Sequence, residues 1–451
     1  MSLPRGWTIA ELGSISTKIG SGATPRGGQS SYATVGIPLI RSMNVHFGGF
    51  EHEGLAYLND AQAQALEGVT VRPNDILLNI TGASIGRVCL APDTMSGGRV
   101  NQHVCIVRLV EELLPTYVEK FLASSEMQRW ILEENYGFTR QALTKGMIEQ
   151  LAIPLPPAPE QRRIVAKLDA LFARLACARA ELIRVRDLAE HARMRARASA
   201  FSGELTRPDR KGQDADWSDR KLGDVADVVT GSTPPTAEKE RYFGGEVPFF
   251  KPTDLDAGYF VETPRETLTA DGAKRSRVVP AGSTLVTCIG ATIAKAGFAR
   301  VACAFNQQIN AAIPRAELVD AKWLYWATIS PQFRSAIIAN SSATTMPIIN
   351  KGRFQSLRLR IPPLWEQEII VERLEGIHTR ADRLEAEAAR ARALLDRLEA
   401  AILTKAFKGE LVPQDPNDEP ASVLLQRIRA QRAAVRPVEK GRRRVPSQAP
   451  G

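Results

Sequence analysis

Two amide pairs, Asn101-Gln102 and Asn306-Gln307, follow strand-like approaches at matching places in the two halves of the chain. An amide carries a donor and an acceptor on one plane. Such a pair can read an adenine edge with two hydrogen bonds, or it can clamp a buried turn; the sequence leaves both open. Two turns of small residues, GSGATP (20–25) and TGSTPP (230–235), could cradle a phosphate with backbone N–H groups or serve as ordinary turns. A further repeat, ITGASIG against CIGATIA, sets Gly82 beside Gly290 and Ser84 beside Thr292. Basic residues fall near these loops: Arg26, Arg41, Arg87, Arg140 and Lys145, then Lys251, Lys295, Lys351 and Arg353. Arg41/Lys251 and Lys145/Lys351 correspond between the halves. With Ser84 and Thr292 these residues form the candidate nucleic-acid-contacting set.

Catalytic chemistry finds little support. The sequence has no G-x-x-x-x-G-K-[ST], which argues against a P-loop ATPase. The five histidines show no metal-ligand spacing, and His103 has Gln308 as its counterpart, which excludes a repeated histidine-based site. Pro208-Asp209 followed by Asp219-Arg220-Lys221 has the outline of a nuclease motif, PD…DxK, but it lies in a Gly/Asp-rich connector, where two adjacent strands are not expected. No N-P-P-[FY] or D-P-P-Y methylation motif is present. The five cysteines lack C-x-x-C spacing, which suits thiols in a reducing cytosol better than disulfides or zinc. No apolar run reaches the ~18 residues of a membrane helix, so no membrane partner and a cytoplasmic location are expected.

The elements that position these residues come twice. LPPAPEQRRIVAKL (155–168) matches IPPLWEQEIIVERL (361–374), AFSGELT (200–206) matches AFKGELV (406–412), and GWTIAELG (6–13) resembles DWSDRKLG (216–223). Each repeat is a whole domain with an extension, too long for a small-repeat solenoid. Runs such as DILLNITG, VCIVRLV and STLVTCIG predict strands, and 115–134 and 321–340 have helical apolar spacing.

Each repeat ends in a segment with a period near 3.5, the signature of a coiled-coil seam. Ile164, Leu168, Leu171, Leu175, Ala178, Leu182, Val185, Ala189 and Ala192 mark the first. Ile370, Leu374, Ile377, Ala381, Leu384, Ala388, Ala391, Leu395, Leu398 and Ile402 mark the second. Residues 160–200 carry a charge of +5 and residues 366–406 carry −2, which favours pairing of the two helices with each other. The chain leaves along one helix and returns along the other, so the pair should be antiparallel. The net charge of +9 is concentrated in residues 427–444, which hold +7 and predict a basic, disordered tail.

The combined order of motifs resembles the specificity subunit of type I restriction-modification systems over about residues 5–412. These motifs are W…LG, G-x-T-P, NQ, P-P-x-x-E-Q and the helix closing in AF-x-G-E-L. The resemblance implies an α+β fold, with two tandem mixed α/β target-recognition domains separated by an antiparallel coiled coil in a pseudo-two-fold arrangement. The expected boundaries are 1–157 and 216–363 for the recognition domains and 158–205 and 364–412 for the helices. A linker at 206–215 and the tail at 413–451 complete the chain. It further implies a non-catalytic reader of bipartite double-stranded DNA that docks two methyltransferase subunits through its helices, with motor/nuclease subunits joining the complex. S-adenosylmethionine, ATP and Mg2+ would enter through those partners, and none would be bound by this chain. A coiled-coil scaffold pairing two protein-binding domains is the alternative, and a stand-alone DNA-modifying enzyme a further one.

Overall fold

The computed structural model describes residues 3–25, 27–134, 142–210, 217–257, 259–342 and 346–435. The chain divides into two compact units, residues 1–180 with 391–451, and residues 181–390. In the first, an antiparallel sheet orders Ser16–Ser21, Val104–Leu109, Ile76–Asn79 and Val88–Leu90. Its central strands are apolar without alternation because both faces are covered. Ile76, Leu78, Cys105 and Val107 face the main core, whereas Leu77, Val104 and Ile106 face a second one. The second unit repeats the order with Ala226–Thr230, Ile309–Pro314, Thr284–Thr287 and Ala296–Ala299, and adds Phe260–Val261 at the edge.

Beside each sheet lies a smaller one. Ile37–Ile40 pairs in parallel with Arg99–Val100, and Phe243–Phe250 pairs in parallel with Cys303–Phe305. A two-stranded ribbon closes each domain: Thr8–Glu11 with Ala152–Leu155, and Ser218–Lys221 with Arg358–Ile361. The helical stretches expected at 115–134 and 321–340 are each split in two, into Pro115–Leu122 and Ser125–Glu134, and into Ala321–Thr328 and Pro331–Ala339. Ser330 explains the second break: its hydroxyl accepts from Phe333 N at 3.3 Å, and Pro331 at the first helical position has no N–H to continue the preceding helix.

The ribbons lead through diprolines into two long helices, Ala158–Ser202 and Leu364–Phe407. In each P-P-x-x-E-Q the glutamate and glutamine are buried. Glu160 Oε1 accepts from the Trp7 indole at 3.1 Å, and Glu366 Oε2 accepts from the Trp217 indole at 3.2 Å. Gln161 Nε2 donates to Pro156 O at 3.0 Å, and Gln367 Nε2 to Pro362 O at 2.8 Å. The motif is thus a tie between helix and domain. Of the expected linker, Thr206 and the Arg210 guanidinium both donate to Glu366 Oε1, and residues 211–215 lie outside the described residues.

The helices pair antiparallel within each unit. Leu175 shares a core with Ile402 and Leu403 in the first, and Ala196 and Ala200 share one with Ile370 and Leu374 in the second. Ile164 and Leu168 are buried there too, while Leu171, Leu182, Ile377 and Leu395 are half-buried. Leu384 and Leu398 depart from the expected seam, being 53% and 48% exposed. Glu385 and Glu399 turn inward in their place, and Arg193 replaces Ala192 on the first helix. A spacing near 3.5 does not distinguish adjacent residues, and the arginines opposite select the carboxylate over the leucine.

Both helices end at glycines in the left-handed region, Gly203 (φ 85°) and Gly409 (φ 73°), where a Cβ would be strained. Beyond Gly409 the structure corrects the disordered tail: Ala421–Val435 is a helix. Ala421, Leu424, Leu425 and Ile428 enter the core of the first unit, Ala421 N donates to Gly6 O at 2.9 Å, and Arg432 donates to Ser14 O at 2.6 Å. The apolar residues that recur every three or four positions here lie amid so many arginines that charge masks them. Residues 436–451 lie outside the described residues.

Candidate nucleic-acid interface

In both units the Gly-x-Thr-Pro turn, the Asn-Gln turn and the small-residue loop form one contiguous surface. Asn101 and Asn306 are buried, and each accepts from a backbone N–H two residues on, His103 at 3.0 Å and Gln308 at 3.2 Å. The asparagines are therefore turn clamps. The glutamines are exposed and held from the side: Thr24 donates to Gln102 Oε1, and Thr233 donates to Gln307 Oε1 at 2.6 Å. A threonine that occupies part of the amide oxygen sets the orientation of the amide, and the Gln102 NH2 group also meets the His103 ring Nε2 at 3.1 Å. Neither threonine nor either glutamine stood in the contact set drawn from sequence. Their signal was the recurrence of both motifs together.

The turn connects onward. In the first unit His103 bonds Thr81, and Thr81 bridges to Ala142 just before Lys145. In the second, Cys288 N donates to Gln308 O at 2.8 Å, Gly290 N donates to Pro347 O at 3.0 Å, and Ile289 bridges to Ile348 just before Lys351. Lys145 and Lys351 each open a short helix, Lys145–Glu149 and Lys351–Gln355, capped by Thr144 and Asn350. Ser84 and Arg87 follow Thr81 in the same loop, and Thr292 and Lys295 follow Ile289 in the corresponding one.

The remaining members of the set divide. Arg41 donates to Gly54 O and lies over the Tyr32 ring at 5.6 Å; Lys251 pairs with Glu266 at 2.9 Å. Their backbone N–H groups donate to corresponding side chains, Asn44 at 3.0 Å and Asp254 at 2.8 Å, so this pair anchors a repeated turn. Ser84 Oγ accepts from Asn79 at 3.2 Å. Lys145 is 3.6 Å from Glu149, and Arg353 reaches Asn340 O at 3.5 Å. Among the described residues the Arg87 and Lys351 side chains have no hydrogen bond or ion pair. Arg26 and Arg140 lie outside the described residues.

The nuclease-like outline dissolves in the structure. Asp209 pairs with Arg373 at 2.7 Å, and Asp219 pairs with Arg358 at 2.9 Å on an edge strand. Each carboxylate is paired with its own arginine.

Around the helices Ala321–Thr328 and Pro115–Leu122 the units differ. In the second, Thr292 and Lys295 stand at a cleft of about 950 Å3 lined with Tyr259, Tyr325, Trp326 and His378. Tyr259 donates to Glu375 at 2.8 Å, which also meets Lys322. Burial, with the nearby Arg197 and Arg193, pushes the His378 pKa down to about 4. The first unit has Lys120 there instead, 3.1 Å from Asp169 and 5.3 Å from the Phe172 ring centroid. Burial pushes the neighbouring Glu119 up to about 7. On the helices, hydrogen bonds to carboxylates hold the Arg179 and Arg193 guanidinium groups strongly protonated, and Arg193 holds Glu385 below the ordinary carboxylate range.

Comparison with known proteins places this architecture. Residues 4–185 and 214–390 match the type I restriction modification DNA specificity domain. The chain is 24% identical to the type I restriction enzyme EcoKI specificity subunit of Escherichia coli (strain K12), over 96% of this chain and 97% of that protein. It is 25% identical to the StySPI specificity subunit of Salmonella potsdam, over 96% of each. Among solved structures, one from work on complex assembly and conformational transition of the type I R-M system aligns with a TM-score of 0.71 at 25% identity, covering 91% of this chain and 100% of the other. The HsdS subunit of Thermoanaerobacter tengcongensis aligns with a TM-score of 0.62 at 25% identity, covering 91% and 99%.

Proposed function

This chain belongs to the type I restriction-modification DNA specificity family, and on that premise we propose that each globular unit reads one half of a bipartite double-stranded DNA target. The observation that carries this reading is the repeated, oriented glutamine: Gln102 held by Thr24 and Gln307 held by Thr233, each on a surface that also presents a lysine, Lys145 or Lys351. An exposed amide, oriented through its oxygen, supplies base-edge discrimination, and the lysine supplies a phosphate contact that sets register without reading sequence. The surrounding loops differ between units, so the two half-sites differ.

The chain supplies recognition and no chemistry. Two methyltransferase subunits dock along its helices and bring S-adenosylmethionine and adenine methylation, and motor/nuclease subunits bring ATP and Mg2+. The assembly works in the cytoplasm. Exchanging residues 218–361 for the same segment of a relative, in the assembled methyltransferase, tests the modular reading by methylation mapping. One half-site should change and the other persist; joint change of both overturns it. In the same assay Gln102→Ala should cost about 1–3 kcal/mol of discrimination at one base pair of one half-site.

A further inference from the structure

Arg179 and Arg193 interrupt an otherwise apolar and alanine-rich seam two heptads apart on the first long helix. Arg179 lies 2.6 Å from Glu399 and 2.6 Å from Asp396. Arg193 is buried and grips Glu385 with both terminal nitrogens, at 2.9 and 2.8 Å, while also reaching Asp382. A planar guanidinium opposite a carboxylate gives the bidentate, orientation-dependent form of ion pair.

The internal duplication gives these pairs a second meaning. At the spacing that relates Glu160 to Glu366 and Gln161 to Gln367, Arg179 corresponds to Glu385 and Arg193 to Glu399. Each layer therefore sets an arginine against the duplicate of the other layer's arginine. If two copies of the first helix met in this antiparallel register, Arg179 would face Arg193 in both layers. Two copies of the second would set Glu385 against Glu399. Each like pairing replaces the opposing counter-charge with a like charge, leaving Arg193 only Glu190 of its own helix, 3.6 Å away, and a like charge facing a buried or half-buried one is destabilising.

We propose that these two layers are a partner-selecting code: the first helix accepts the second and refuses a like helix from another copy. A second copy of this chain can then combine with the first only by exchanging unlike helices, and at ordinary concentration the covalently linked partner wins through its high effective concentration. The duplication created two helices of common ancestry, and the opposed charges keep them from pairing with themselves. This inference is independent of what the recognition surfaces bind.

Full-length variants test it. Arg179→Glu with Arg193→Glu makes all four layer positions acidic; Glu385→Arg with Glu399→Arg makes all four basic. Each double variant should lose helix pairing, with an unfolding midpoint several degrees below the wild type or failure to fold. The quadruple variant restores opposite charges in reversed orientation and should return to a monomer with a midpoint near the wild type. Mixed in equal amounts and refolded, the two doubles should form a 1:1 heterodimer by native mass spectrometry, since unlike charges now lie on different chains. Double variants with the wild-type midpoint overturn the proposal, as does a quadruple variant no better than the doubles. A refolded mixture that contains no heterodimer also overturns it.

Discussion

Phe407, in the last turn of the second long helix, packs edge-on against Phe121 of the N-terminal domain, with ring centroids 5.1 Å apart. Tyr117 meets the same ring at 5.5 Å. Its duplicate, Phe201 at the end of the first helix, packs against Trp323 at 5.9 Å in the other unit. Each domain is thus completed by the helix that starts from the other domain's diproline. The repeated AF-x-G-E-L is the docking end of that arrangement, with phenylalanine as anchor and glycine as stop.

Phe407→Ala should destabilise the first unit by about 3–5 kcal/mol, the range for truncating a buried aromatic. Hydrogen exchange should show the loss in residues 8–155 and leave residues 218–361 protected. Phe201→Ala should give the reverse pattern, weakened because Phe201 is only half-buried.

Leu175 and Leu398 separate the seam from its flank. Leu175→Asp puts a carboxylate into the buried layer with Ile402 and Leu403 and should cost several kcal/mol, on the order of 3–5, for an unpaired buried charge. Leu398→Asp changes an exposed position and should stay within about 0.5 kcal/mol. Thermal unfolding of both variants checks the assignment; equal losses contradict it.

The two units should respond to pH with opposite signs. Folded Glu119 titrates at about 7 against an ordinary value of 4.5, so it keeps a proton that the unfolded chain has released. Its contribution is full below about 4.5 and is lost as pH rises through 7. Folded His378 titrates at about 4 against 6.5, so the unfolded chain gains a proton that the native state refuses. That contribution is full above 6.5 and is lost as pH falls towards 4. Glu119→Gln should flatten the pH dependence of the first unit across 4.5–7 by an amount on the order of 3 kcal/mol, leaving the second unit unaffected. Unit-resolved hydrogen exchange at pH 5 and 7 reads both.

Truncations after residue 435 and after residue 420 should differ in kind. The first removes Arg436, Lys440, Arg442, Arg443, Arg444 and Glu439. It should lower the slope of log affinity against log salt, by about 0.9 per lost phosphate contact, for cognate and random duplexes alike. The second also removes the helix that buries Leu424, Leu425 and Ile428, and should destabilise the first unit as well. Salt titration in the presence of the methyltransferase partner, with thermal unfolding alongside, distinguishes them. A selective loss of cognate binding after the first truncation would show that the segment reads sequence.

The duplication, the long helices and their stop signals, the recurrence of P-P-x-x-E-Q and the family were legible in the sequence. Periodicity and repetition are properties of order along the chain and survive without coordinates. The union of Thr24 with Gln102 was not legible, because two motifs that each recur do not reveal that they touch. Nor was the inward face of the second helix at 384–385 and 398–399, where two neighbours satisfy the same spacing and only the arginine opposite decides between them. The C-terminal helix was hidden for a related reason. Its apolar residues are diluted among arginines, and what orders them is the exposed end of a core that residues far upstream supply. Order along the chain specified the repeated elements; the pairing of side chains from distant segments settled which residues face a partner, because burial and charge compensation arise only where those segments meet.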